Sequence, residues 1–374
     1  MSQDISRRSL LAAAAASPFV SSVAARAQDA TPDADKVGFA IVGLGNYSMR
    51  QMLPRFKDTL HCKPTALVTG DPDGKGRRVA GQYGIADDHV MSYEDMGKLA
   101  EMDDVQVVYV VTPTGLHLRD TLAGFAAGKH VLCEKPMATD VDECNQMIEA
   151  GKAAGKQLMI AYRVRYEPVN GRAIEYAREE TLGPVRMING EIAFMNDERD
   201  TWRKDPKLNG GQGGPLWDLG IYMVQAHRYI AGEEPVRVSG QLYRPENDPR
   251  FPEGVDSRVT WQFEFPSGKL AVGANSWDCG PTNRYTALCA DGQFELDGAT
   301  GYGGKRMFAK GRDLNIEEGN QFAAELDHMA ECVRENKTPH TPGEEGRQDV
   351  HLMMKICEAA REGRTLEVEN LRDA

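Results

Sequence analysis

Two short segments of this chain carry residues able to move a proton to and from a carbinol. Glu134-Lys135-Pro136 directly follows the apolar run His130-Val-Leu-Cys133. Asp218 and Tyr222 stand four apart in Gly213-Gly214-Pro215-Leu-Trp-Asp218-Leu-Gly-Ile-Tyr222. A residue just past a buried parallel strand lies at the carboxyl edge of the sheet, where ligands bind in open α/β folds. The i, i+4 spacing puts Asp218 and Tyr222 on one helical face. Oxidation of a carbinol carbon requires its hydroxyl proton to leave as well as a hydride. A tyrosine beside a lysine ammonium is expected to have a lowered pKa and to act as that base. Lys135, Tyr222 and Asp218 are therefore the expected catalytic residues and are also expected to contact substrate.

The hydride acceptor is announced by Gly43-Leu44-Gly45-Asn46-Tyr47-Ser48, which follows the apolar run Val37–Val42 and precedes a helical stretch. In such a turn the first glycine permits the sharp reversal and the second lets the backbone approach a pyrophosphate. The helix N-terminus then offers free N–H groups to the phosphates. Ser48 stands where a third glycine is usual and is expected to loosen helix–strand packing slightly. The second apolar strand ends Val68-Thr69-Gly70 without the acid that binds an adenosine ribose 2′-hydroxyl, and Lys75, Arg77 and Arg78 follow. A hydroxyl and cations suit a 2′-phosphate, so NADP is the expected cofactor, held in part by Thr69, Gly70 and Lys75. Asp71 is the residue that could serve a free ribose hydroxyl instead.

These residues need a scaffold, and the pattern supplies one. Val37–Val42, Pro64–Thr69, Val105–Val111, His130–Cys133 and Leu158–Tyr162 are continuous apolar strands separated by helical stretches. One of those helices, Thr139–Ala154, opens with Thr-x-x-Asp and keeps Val141, Cys144, Met147, Ile148 and Gly151 on one face. Such alternation predicts a doubly wound parallel sheet, a Rossmann domain over residues 37–162. Beyond it Val185–Phe194, Val236–Tyr243, Arg258–Phe265, Lys269–Trp277 and Arg284–Ala290 are consecutive strands joined by short turns. They predict a mostly antiparallel open sheet in an α+β domain over residues 163–374, closed by helices over 320–335 and from Thr341 to about Arg361. That domain is expected to hold substrate and to form the oligomer contact.

Composition narrows the partners. The 374 residues carry a net charge of −12, which repels a phosphate backbone and argues against nucleic acid. Seven cysteines without a C-x-x-C pair and eight histidines without a cluster predict no metal site and no disulfide framework. Ser6-Arg7-Arg8-Ser9-Leu10-Leu11, a charge-free Ala-rich stretch and Ala25-Arg26-Ala27 follow the order of a twin-arginine signal peptide over residues 1–27. Export of the folded protein to the periplasm is the expectation, with residues 28–36 as a short flexible arm and no membrane span.

Taken together the motifs resemble the glucose–fructose oxidoreductase / inositol dehydrogenase (Gfo/Idh/MocA) family, over about Lys36 to Arg364. The resemblance rests on the glycine turn, Thr112-Pro113-Thr-Gly-Leu-His117, Glu134-Lys135-Pro136, Ala161-Tyr162-Arg163, the Gly213–Tyr222 segment and Pro342-Gly-Glu-Glu-Gly346. It implies that Lys135 contacts both the nicotinamide ribose and the substrate hydroxyl, and that Tyr222 is the acid/base. It places Trp202, Arg203, Tyr162 and Arg163 on the nicotinamide side, with Tyr162 also near the sugar. Tyr93, Thr112, Pro113, His117 and Glu134 complete the expected cofactor contacts. Tyr222 stands where inositol dehydrogenases carry histidine, which points to the glucose–fructose oxidoreductase branch, but only about nine residues replace that enzyme's long arm. A short-armed exported member is therefore the better match, and pairing through the open sheet to a homodimer is implied. The expected activity is oxidation of an aldose to a lactone with a second sugar, aldose or ketose, reduced to an alditol on the same tightly bound NADP. A dinucleotide-dependent glycoside hydrolase and a sugar-sensing protein with a structural dinucleotide are the alternatives.

Overall fold

The computed structural model describes residues 30–197, 201–209, 211 and 213–373. The expected signal peptide lies outside these residues, as do residues 28 and 29 of the arm. Thr31 is buried, its N–H donates to the Leu60 carbonyl at 3.1 Å, and Arg334 donates to its hydroxyl at 2.7 Å.

Six parallel strands form the first sheet: β1 Val37–Val42, β2 Cys62–Val68, β3 Val90–Met91, β4 Val107–Val110, β5 His130–Glu134 and β6 Leu158–Ala161. Their order is β3-β2-β1-β4-β5-β6, so the chain reverses direction across the sheet between β1 and β4. Carboxyl-end loops diverge at such a switch point and leave a crevice. Every residue of β1 is buried because helices cover both faces. Ala40 and Val42 pack with Phe125, Met147 and Ile148 on one face, Phe39 and Ile41 with Phe322, Leu326 and Met329 on the other. The second group comes from the Gln321–Glu335 helix, so the end of the chain returns to close the first sheet. The helix expected from Thr139 starts at Val141 instead. Asp140 caps it by accepting the Glu143 N–H at 2.8 Å, and Glu143 reaches back to the Thr139 hydroxyl at 2.7 Å.

The second sheet holds β7 Val185–Met195, β8 Arg237–Tyr243, β9 Arg258–Glu264, β10 Leu270–Ser276, β11 Asp278–Cys289, β12 Gly292–Asp297, β13 Arg306–Ala309, β14 Arg312–Asp313 and β15 Leu366–Glu367. Its order is β14-β13-β12-β11-β7-β10-β9-β8-β15, and among the described residues only the β7–β10 pair is parallel. The last four strands escaped the periodicity reading because β13 to β15 are short and β12 carries only Phe294 and Leu296 inward. Ile188, Ile192, Trp261, Phe263 and Tyr285 pack inward against helices. Met195, Tyr243 and Val272 stand exposed on or beside the opposite face.

One helix on that inner face, Ile221–Ala231, carries Tyr222 and is anchored by a buried ion cluster. Arg228 donates twice to Glu234 (2.6 and 2.7 Å), to Glu345 at 3.0 Å and to Asp349 at 2.6 Å. Glu345 and Asp349 belong to the Gly343–Glu362 helix, so the cluster bolts the Tyr222 helix to the end of the chain.

Candidate active site

At the tip of β1 the backbone turns through Gly43 at φ +101°, a conformation L side chains avoid, with a Cβ there only 3.0 Å from the Val111 carbonyl oxygen. Gly45 is different. A Cβ there would meet nothing within 4 Å, so the protein itself does not require this glycine, and the space it leaves opens into a cavity of about 700 Å³. The Ser48 hydroxyl donates to the Gly43 carbonyl, so the serine ties the turn down where loosened packing was expected. The first helical turn after it, Ser48–Met52, is a π-turn, and Arg50 on it lines the same cavity.

The cavity runs over the carboxyl ends of the first sheet. Leu44, Asn46, Tyr47, Thr69, Lys75, Tyr93, Thr112, Pro113, His117, Glu134, Lys135, Arg163, Trp202, Arg203, Asp218 and Tyr222 line it together with Gly43 and Gly45. Two expected residues do not. Gly70 is exposed just past β2, outside the lining, with the Tyr93 ring 3.8 Å from where its Cβ would stand. Tyr162 is fully buried beside Asp349. The chain leaves β6 at this point, and of the two neighbouring residues only Arg163 reaches the cavity.

Lys75 donates to the Leu44 carbonyl, which brings its ammonium to the glycine turn. Both Asp71 oxygens are committed to capping, accepting the Gly74 and Lys75 N–H groups at 3.0 and 2.9 Å. His117 spans from the Thr112 carbonyl (2.8 Å) to the Pro136 carbonyl (2.9 Å) and so joins the β4 and β5 loops. These features fit a dinucleotide: a backbone cradle left open by glycine, cations beside it and a long crevice at the switch point. Among the described residues no group of three or more His, Cys, Asp or Glu could hold a metal ion, and no helix is long and apolar enough to cross a membrane.

Lys135, Asp218 and Tyr222, the residues expected to move protons, meet at the buried end. Lys135 Nζ donates to the Asp218 backbone carbonyl at 2.5 Å and lies 4.9 Å from the Tyr222 ring centre. The Asp218 carboxylate takes the Arg203 Nε–H at 2.8 Å. Burial raises the Asp218 carboxyl, but Arg203 and Lys135 outweigh it and hold it below its ordinary value. Burial also pushes the Lys135 ammonium down to about 8, against the attraction of Asp218 and Glu134. The lowered phenol expected for Tyr222 is not what the protein alone provides. Burial raises it, Arg163 opposes that, and Glu134 adds to it.

Several lining residues were not anticipated, among them Arg50, Asn209, Trp217 and Tyr302. Tyr302 is the largest omission. It lies more than half exposed beyond β12, and its one signal was a lone aromatic among Gly298, Gly301, Gly303 and Gly304. Nothing in the sequence placed that turn near β6.

Comparison with known proteins agrees with this geometry. Residues 37–162 match the oxidoreductase family described by an NAD-binding Rossmann fold, and residues 172–301 match its C-terminal domain. D-xylose 1-dehydrogenase (NADP⁺) 2 of Haloferax volcanii is 30% identical over 339 residues, covering 88% of this chain and 99% of that protein. D-xylose 1-dehydrogenase (NADP⁺) of Haloarcula marismortui is 27% identical over 351 residues, 91% and 96% of the two chains. The crystal structure of aldose–aldose oxidoreductase from Caulobacter crescentus, complexed with glycerol, superposes with TM-score 0.85 at 41% identity, over 89% of this chain and 100% of that one.

Proposed function

Because this chain belongs to the Gfo/Idh/MocA oxidoreductase family, we propose that it oxidises one sugar and reduces another on a single retained NADP. The observation that carries the proposal is that Lys135, Tyr222 and Asp218 share one cavity with the glycine turn, so a dinucleotide on that turn and a small polyol would reach the same groups. Likeness to an aldose–aldose oxidoreductase and to NADP-dependent xylose dehydrogenases supports aldoses as substrates. The commitment of Asp71 to its cap, with Thr69 and Lys75 at the crevice, supports NADP over NAD.

A dinucleotide held by the Gly43–Gly45 turn, Thr69 and Lys75 would supply the two-electron chemistry, as hydride acceptor for an aldose C1 and hydride donor for the carbonyl carbon of a second sugar. Tyr222, as phenolate, takes the C1 hydroxyl proton while the C1–H bond breaks and the lactone C=O forms. As phenol it returns that proton to the carbonyl oxygen of the second sugar, which leaves as an alditol. Lys135 orients the reacting hydroxyl, and the Arg203–Asp218 pair ties the Trp202–Lys204 turn to the turn that leads into the Tyr222 helix. Export to the periplasm supplies the motive for retention, since no pyridine nucleotide pool exists there. Pairing of the open second sheet, with Met195, Tyr243 and Val272 exposed, would make a homodimer.

Purified protein incubated with glucose and no added cofactor tests the reading. The expected products are gluconolactone and sorbitol in equal amounts, with NADP released near one per chain on denaturation. An active preparation without dinucleotide, or product formed only with added NADP, overturns retention. Lys75→Ala should weaken NADP at least tenfold more than NAD in apo-protein titrations, the minimum expected when a charge-assisted bond to a 2′-phosphate is lost. Equal loss for both cofactors would leave Lys75 a support of the Leu44 carbonyl only.

A further inference from the structure

Arg163 is a buried cation held without a carboxylate partner. Its Nη1 donates to the Gln321 side-chain oxygen at 2.5 Å and to the Gly301 carbonyl at 3.4 Å, and its Nη2 to the Thr300 carbonyl at 2.7 Å. All three acceptors are neutral. The other buried arginine among the described residues, Arg228, faces three carboxylates. Desolvating a guanidinium is costly, and the usual compensation is an anion. Here the guanidinium lies between two tyrosine rings instead, 4.9 Å from the centre of Tyr222 and 4.7 Å from that of Tyr302.

We propose that Arg163 is a positioning residue for catalysis, kept unneutralised so that its charge stabilises the Tyr222 phenolate. The inference rests on the reading of Tyr222 as the acid/base. A phenolate spreads charge over its ring, so a cation over the ring face attracts the anion far more strongly than the neutral phenol. The groups facing Tyr222 come from every side of the site. Lys135 and Arg163 are the cations, Glu134 and Glu325 the carboxyls, and Tyr47 and Tyr302 the phenols. Burial raises both carboxyls, Glu325 strongly; Arg163 lowers both, and at Glu134 the Tyr109 hydroxyl, which donates at 2.6 Å, and Lys135 lower it as well. Burial lowers the Lys135 ammonium to about 8, so its charge is the less constant of the two. Arginine stays charged throughout. Gln321 is what keeps this charge free: a carboxylate at that position would hold the guanidinium equally well and cancel it.

Gln321→Glu and Arg163→Met in the holoenzyme separate this role from simple clamping. Each half-reaction is followed by reduced-nicotinamide absorbance across pH, aldose for oxidation and a second sugar for reoxidation. Arg163→Met is expected to move the ionisation that governs oxidation upward by about one to two pH units, as charges some 5 Å apart in a protein interior predict. Gln321→Glu should move it the same way by about half as much. At neutral pH oxidation falls about tenfold or more in Arg163→Met, and it falls more than reduction, which uses the protonated phenol. Arg163→Lys should return the ionisation close to its wild-type position. A clamp alone would slow both half-reactions alike and leave the ionisation unmoved, and that result overturns the proposal. If Arg163→Met does not fold, an unmoved ionisation in Gln321→Glu overturns it by itself. Tyr222→Phe run in parallel keeps the premise separate: wild-type rates there remove the acid/base reading and this inference with it. An inactive Tyr222→Phe beside unmoved ionisations removes the role of Arg163 alone.

Discussion

Tyr222→Phe keeps the fold and the dinucleotide while the chemical step falls about 10²–10⁴-fold, the usual worth of a positioned general acid/base. The ring is buried and packed between Lys135 and Arg163, and phenylalanine retains that packing while losing only the hydroxyl. Both half-reactions fall, because the same oxygen accepts the proton in one and returns it in the other. Lys135→Ala should be as damaging and should also disturb the seating of the cofactor, since the ammonium holds the Asp218 carbonyl across the cavity. Rapid mixing of each sugar with the holoenzyme reads these effects directly. A phenylalanine variant that reduces and reoxidises its dinucleotide at wild-type rates makes Tyr222 a packing residue, and the base must be sought at Asp218.

Arg228→Met costs about 3–5 kcal/mol of stability, the range found when one partner of a buried ion pair is removed. The methionine fills similar volume, so the loss is electrostatic: Glu234, Glu345 and Asp349 keep their buried carboxyls without the cation that offsets them. Arg372, 3.1 Å from Glu345, covers only part of the deficit. Burial already pushes Asp349 up to about 7 despite Arg228. The penalty should therefore shrink as pH falls, because a protonated carboxyl tolerates an apolar setting better than a carboxylate. Urea unfolding midpoints of the wild type and variant at acidic and neutral pH give the comparison. A loss under about 1 kcal/mol at neutral pH would mean that the cluster is stabilised by something other than its arginine.

Much of this architecture was legible in the sequence because it rests on short-range rules. Five buried strands alternating with helices can only form a covered parallel sheet, and the glycine turn after the first of them locates the phosphate cradle. Spacing put Glu134-Lys135-Pro136 at a strand tip and Asp218 and Tyr222 on one helical face; that the two segments share a site was implied by the resemblance. What the sequence left undetermined depends on contacts between distant segments. Tyr162 and Arg163 are neighbours with equal claim to the cavity, and only the path of the chain out of β6 turns one toward Asp349 and the other toward Tyr222. Tyr302 and Gln321 reach Arg163 from 139 and 158 positions away, a distance no periodicity reports. The ionisation of Tyr222 is likewise a tertiary property. The family resemblance set a lysine beside it, which implied a lowered phenol, but desolvation acts on the whole enclosed volume and outweighs one neighbour. Residue type and spacing thus determined which groups could do the chemistry. Burial and long-range packing decided which of them face the cavity and in which charge state, because both depend on every surface brought against the site.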